Sequence, residues 1–217
     1  MFDQGVAERP ERISDLEYQM DAGPLVRDIG QALRGLRFPE LHMLLLAAVL
    51  MGVPLWLLED TDAARQWLFA GTVIGLIVTG LCWSGPVRGR FGWLLPALLR
   101  AIEYSYVLLL IYRLAPDLLP VAYGYLVVVA FHHYDIAYRL RHTGRAPARW
   151  VYTAGLGYDG RLLIIASLTL AGVGALRTGL WILTVSLAVV FVLEAAVGWM
   201  RWLRAENAAA AQRAELA

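Results

Sequence analysis

DLLPVAYGYLVVVAFHHYDIAYR, residues 117–139, carries no formal charge between Asp117 and Asp135 and then crowds histidines, tyrosines, an aspartate and an arginine into its last two turns. As a helix rising about 1.5 Å per residue, residues 117–138 reach across the roughly 30 Å hydrocarbon core of a bilayer. A long apolar run that ends in ionisable and phenolic side chains predicts a membrane span with a polar site at one end. Glycine and tyrosine inside the run do not break it, because a span tolerates both where neighbouring helices pack.

The rest of the chain repeats this pattern. Of its 217 residues, 59% are hydrophobic and 17% charged, and the charges fall in short gaps between apolar runs. That balance predicts an all-α, polytopic membrane bundle and leaves no room for a second folded domain. Six apolar runs, at 41–58, 66–83, 93–112, 117–138, 158–176 and 180–202, each approach the roughly 17–25 residues of a spanning helix. Pro54 and Pro96 are expected to kink or thin their helices, and Gly71 and Gly75 to offer a close-packing face. Ahead of the six-span domain (41–203), residues 1–22 read as a cytoplasmic lead without chemistry. In 23–40, Leu25, Val26, Ile29, Leu33 and Leu36 share one face, while Arg27, Asp28, Gln31, Arg34 and Arg37 take the other. An N-terminal amphipathic helix lying at the interface follows, opened by Pro24 and stopped by Pro39. Residues 204–217 read as a cytoplasmic tail.

Orientation comes from the arginines, which are the only basic side chains apart from histidine. With the N-terminus in the cytoplasm, fifteen arginines fall inside and three (Arg65, Arg113, Arg177) outside, while Glu59, Asp60, Asp62 and Asp117 collect outside. Both termini are expected on the cytoplasmic side of a bacterial plasma membrane. Trp56, Trp67, Trp83, Trp93, Trp181 and Trp202 sit at span ends, as an interfacial belt requires. The absence of lysine excludes Schiff-base chemistry, and the lone Cys82 excludes an intramolecular disulfide or a cysteine metal cluster. No basic segment followed by a short apolar core opens the chain, so no cleavable signal peptide is expected. Topology accounts for the arginines, and nucleic-acid binding is not indicated.

Counting turns back from the cytoplasmic span ends puts Arg100, His132 and Glu194 in one layer, roughly 10 Å below the surface. Glu103 is one turn deeper than Arg100, Asp135 one turn shallower than His132, and Asp159 enters at the rim of span five. An ionisable group in a span costs roughly 2.5–3.5 kcal/mol on insertion scales, so these groups should face one another or a wet cavity. Two readings stay open. In the first, His132, Asp135 and Asp159 hold a divalent metal, magnesium or manganese. Arg100, Arg139 and Arg161, with Tyr104 and Tyr138, then bind a phosphate-bearing lipid or polyprenyl substrate. Glu103, Glu194 or Asp135 serves the catalysis, a glutamate acting as a base whose pKa burial has raised. In the second, the layer is structural: Arg100 with Glu103 is an internal ion pair, His133 packs, Glu194 accepts a packing hydrogen bond, and the chain is a non-catalytic partner or anchor. A small proton-coupled transporter is a third class, against which stands the lack of a clear internal repeat. A homo-oligomer fits any of these.

Two resemblances bear on the choice. His132-x-Tyr134-Asp135-x-x-Tyr138-Arg139, a basic loop with Pro147 and Trp150, and Gly157-x-x-Gly160-Arg161 resemble an uncharacterised actinobacterial membrane-domain family over residues 23–200. That family often accompanies CDP-alcohol phosphotransferase domains, which implies such an enzyme as a partner. The chain is also faintly similar to the CDP-alcohol phosphotransferases themselves, six-span enzymes with a metal motif D-x-x-D-G-x-x-A-R followed by G-x-x-x-D-x-x-x-D. His132-x-x-Asp135 stands where two aspartates would, and Gly155-x-x-x-Asp159 matches. Ile136 replaces the motif's glycine, its arginine is displaced by one position, Leu163 replaces the acid that would be the catalytic base, and the motif falls on spans four and five rather than two and three.

Overall fold

The fold is drawn from a computed structural model, which describes residues 19–33, 36, 38–57, 61–82, 92–144 and 147–215, without the side chain of Arg149. Among the described residues the protein is all-α, 89% helical and without strands. In chain order the helices are α1 (Pro24–Ala32), α2 (Glu40–Trp56), α3 (Asp62–Leu81), α4 (Leu95–Leu114), α5 (Leu119–Thr143), α6 (Arg149–Ala154), α7 (Gly157–Leu170) and α8 (Val173–Glu215). Single 3-10 turns, Gly92–Leu94 and Pro116–Leu118, lead into α4 and α5. Among the described residues three segments, Asp62–Leu81, Gly92–Leu114 and Val173–Glu215, are long and apolar enough to cross a membrane, and Glu40–Trp56 is a shorter apolar helix.

Small residues decide how closely these helices approach. Gly71 lies against the Leu50 carbonyl and the Pro54 ring, and Gly75 against Met51, so α2 and α3 pack nearly backbone to backbone. α2 runs on through Pro54. Pro96 falls in the first turn of α4, where no helical N–H is lost. Leu68, Leu76, Val107, Leu110, Ile111, Tyr125 and Ile165 fill the bundle core. Valines, leucines and tryptophans on the outer faces of α2, α3 and α8 remain exposed, as lipid-facing sides require.

Four sequence boundaries shift. The amphipathic helix expected over 23–40 is nine residues long in the described chain. Its Val26 and Gly30 are buried and Ile29 packs on Gly80, at the end of α3. The fifth run ends at Leu170, because Ala171 and Gly172, the latter at φ 108°, turn the chain into α8. Residues 173–176 therefore belong to the sixth run. That run does not end at 202: α8 continues to Glu215, and the expected tail is its exposed last turns, rich in alanine and other strong helix formers. Arg9, Arg12, Arg34, Arg37, Glu59, Asp60, Trp83, Arg88, Arg90 and Arg145 lie outside the described residues.

The two ends of the bundle are distinct. Arg177, at the start of α8, meets Asp117, in the turn before α5, at 2.6 Å, which brings two turns together at one end. At the other end α1 lies against the end of α3 and the start of α7.

Candidate functional site

The polar groups gather into two clusters, and the centre of the first is a residue that the apolar pattern does not mark. Asp21, in the segment just before α1, is 1% exposed, and its neighbours Ala22 and Val26 are fully buried. Part of the expected lead is thus packed into the bundle.

Asp159 holds that segment in place. Its two carboxylate oxygens accept from the backbone N–H of Gly23, at 2.5 Å, and of Val26, at 3.1 Å. These are orphan donors of the first turn of α1, which has no side-chain cap of its own. A carboxylate 136 residues away in the chain thus caps the helix and meets the positive end of its dipole. The approach needs glycine on both sides. Gly157 has φ 60°, and a side chain there would strike the Gly23 backbone, while one on Gly23 would strike the Leu156 carbonyl and Asp159. Tyr158 completes the seam by donating its N–H to the Asp21 carbonyl at 3.0 Å.

Inside the seam, Arg161 of α7 is 0% exposed, as is Glu103 of α4. Arg161 Nε and Nη2 donate to Glu103 Oε1 and Oε2 at 2.7 and 3.0 Å, a bidentate pair. Nη2 also reaches Asp21 Oδ2 at 2.8 Å, and Nη1 donates to the Gly155 carbonyl at 3.1 Å. Tyr125 of α5 donates to Glu103 Oε1 at 2.8 Å. His133 sits between Tyr104, at 2.9 Å from its Nδ1, and Asp21 Oδ2, at 3.2 Å from its Nε2. His132 stacks flat on Phe191 at 3.8 Å and points Nε2 at Asp21 Oδ1 from 3.6 Å, beyond hydrogen-bond reach. Those two atoms are buried without a partner. Burial by itself would raise the Asp21 carboxyl, but the Arg161 guanidinium and the imidazoles of His132 and His133 hold it well below the usual carboxylate range.

The second cluster joins the end of α5 to α8. Arg139 Nη1 and Nη2 donate to Glu194 Oε1 and Oε2, both at 2.8 Å, and Nη2 lies 2.6 Å from Asp135 Oδ2. Trp199 Nε1 donates to Asp135 Oδ1 at 3.2 Å. All four carboxylate oxygens therefore have donors. The three charged members are 5–8% exposed, a little wetter than the first cluster. Tyr138 lies outside it, part-exposed, with its ring against His142 and Trp199.

Several expectations change. Arg161, expected to bind substrate, is fully buried at the centre of the first cluster. Glu103 pairs with Arg161 rather than with Arg100, because Arg100 turns to the Gln19 carbonyl, 3.2 Å away. Asp159 is a helix cap, Asp135 an arginine partner and His132 a stacking ring, so these three do not converge. Among the described residues no three His, Cys, Asp or Glu side chains are grouped to hold a metal ion. The structure does bring together Glu103 with Arg161, Tyr104 with His133, and Arg139 with both Asp135 and Glu194. Asp21 and Tyr125 were missed. Tyr125 could have been found, since it lies two turns before His132 on one face of α5. Asp21 had no such signal.

No curated protein and no solved structure matches the chain. A family model matches residues 11–215, and the chain belongs to that family, DUF5941, a family of unknown function.

Proposed function

We propose that this chain is a six-pass membrane anchor, without catalysis of its own, for an enzyme that makes or modifies a phosphate-bearing lipid. The observation that carries this is the saturation of its buried acids. Glu103, Asp135 and Glu194, the candidate catalytic carboxylates, each have both oxygens bound by an arginine, tyrosine or tryptophan donor. A general base needs a free oxygen facing its substrate. A CDP-alcohol phosphotransferase-like enzyme is the partner class that the sequence resemblance suggests.

The six passes are α2, α3, α4, α5, α7 and α8, with α1 lying at the cytoplasmic interface. The excess of arginine at the end that carries α1 supports both termini being cytoplasmic. α7, fourteen residues long, rises only about 21 Å. Its first turn is accordingly roofed by α1 rather than open to water. Single cysteines at Thr61, Thr143 and Thr178 in a Cys82→Ser background test the orientation. The first and third should label from outside in intact cells, and Thr143→Cys only after permeabilisation.

A second reading, an enzyme acting on a phosphate- or diphosphate-bearing lipid or polyprenyl substrate, is favoured by Arg100, a part-buried guanidinium that among the described residues hydrogen-bonds a neutral carbonyl and pairs with no carboxylate. Complementation decides between the two. In cells lacking the native chain, Glu103→Gln and Glu194→Gln should restore membrane lipid composition in proportion to the folded protein present. A variant found at the wild-type level that restores nothing would establish a catalytic carboxylate and overturn the anchor.

A further inference from the structure

We infer that the pocket around Asp21 is a binding site for the phosphate group of a phosphate monoester, and that the chain's own carboxylate fills it here. Among the described residues, the side chains that bind Asp21 all belong to the bundle: Arg161 Nη2 at 2.8 Å and His133 Nε2 at 3.2 Å, with His132 Nε2 at 3.6 Å. A planar carboxylate underfills this set. It satisfies Arg161 and His133 through Oδ2, and it leaves Oδ1 and His132 Nε2 facing each other, both buried and unpartnered. A group with three terminal oxygens in a tetrahedron can give one to each donor.

The neighbourhood supports an exchangeable anion. Glu103 occupies only one edge of the Arg161 guanidinium, so the lock between α4 and α7 persists while the Asp21 position changes hands. Arg100, also on α4, spends a donor on the Gln19 carbonyl, so two guanidinium groups of the bundle are met by oxygens of the same short segment. That segment bends to do so. Asp21 has φ 47°, in the left-handed region that, glycine apart, aspartate and asparagine enter most readily. Segment 19–23 stands where an anionic ligand's oxygens would lie, and a ligand entering would displace it from Arg161 while Asp159 still holds α1. The phosphate could come from a lipid headgroup or from a soluble phosphate, and the chemistry of the pocket is the same for both.

Chemical rescue tests this on the full chain in nanodiscs. Asp21→Ala should lower thermal stability, and phosphate should restore it at a concentration at least tenfold lower than acetate does. In an Asp21→Ala/His132→Gln variant that preference should vanish while acetate still acts, because the third donor is gone. Restoration by phosphatidic acid in the nanodisc but not by inorganic phosphate identifies a lipid headgroup, and the reverse identifies a soluble ligand. Equal rescue by acetate and phosphate, or none by acetate, inorganic phosphate or phosphatidic acid, makes Asp21 a structural ion pair and ends the proposal. Should Asp21→Ala fail to fold, hydrogen exchange on the wild type decides. The Tyr158 amide, bonded to the Asp21 carbonyl, should exchange at least tenfold faster with phosphatidic acid or inorganic phosphate present, and unchanged protection by both overturns the pocket.

Discussion

Arg161 and Arg139 are the same side chain set between two carboxylates, yet they occupy different physical situations. Arg161 is fully buried and ties together three parts of the chain, through Asp21 before α1, Glu103 on α4 and its own α7. Arg139 is 7% exposed and ties only α5 to α8, with one of its two acids a single turn away on its own helix. The desolvation that raises the cost of a lost partner is complete at Arg161 and partial at Arg139. Burial and the number of elements joined, rather than the residue types, separate a keystone from a clamp.

Removing the keystone should have the largest effect. Arg161→Gln leaves two buried carboxylates without their cation and should cost about 3–5 kcal/mol, the range for breaking a buried ion pair. Denaturant unfolding in detergent measures it, and a loss no larger than that of Glu194→Gln would erase the distinction. Glu194→Gln itself should cost about 1.5–3 kcal/mol, the value of hydrogen bonds to a charged group, because Asp135 still neutralises Arg139.

Asp159→Ala comes next, at about 0.5–2 kcal/mol for a lost helix cap, with the damage confined to α1. Hydrogen exchange should show deprotection at Gly23 and Val26 while α4 and α5 are unchanged. An equal loss throughout the bundle would mean that α1 is part of its core.

Acid should distinguish the clusters more gently. Asp21 has a folded pKa well below its unfolded value of roughly 3.9. Its contribution is therefore fully present above about pH 4 and is lost as pH falls toward the folded value. The wild type should lose stability on that acid limb, and Asp21→Asn should lose less over the same range. Magnesium or manganese should shift the melting temperature of neither the wild type nor Asp135→Asn, since the Asp135 oxygens already have donors. A metal-dependent rise in the wild type, weakened at least tenfold by Asp135→Asn, would restore the metal reading of His132, Asp135 and Asp159.

Much of this was legible because lipid imposes simple rules. A charge in an apolar run must find a partner, so Glu103, His132, Asp135, Arg139, Arg161 and Glu194 could be named before their contacts were known. Which partner each finds was not legible. Arg100 and Glu103 share a helix at a favourable spacing, yet Glu103 goes to Arg161, 58 residues away, whose geometry is bidentate. Asp21 sits among polar residues with no apolar periodicity, and nothing local separates it from an exposed acid.

The sequence by itself determined the helical class, the main apolar runs, the segregation of arginine and the short roster of charges within apolar runs, because each depends on local composition and hydropathy. Only the tertiary structure decided that Asp159 caps α1, that Asp21 enters the bundle and that the acids are already spoken for. These depend on where a glycine lets two backbones meet, as at Gly23 and Gly157, and on distances across more than 130 residues of chain that no local pattern encodes.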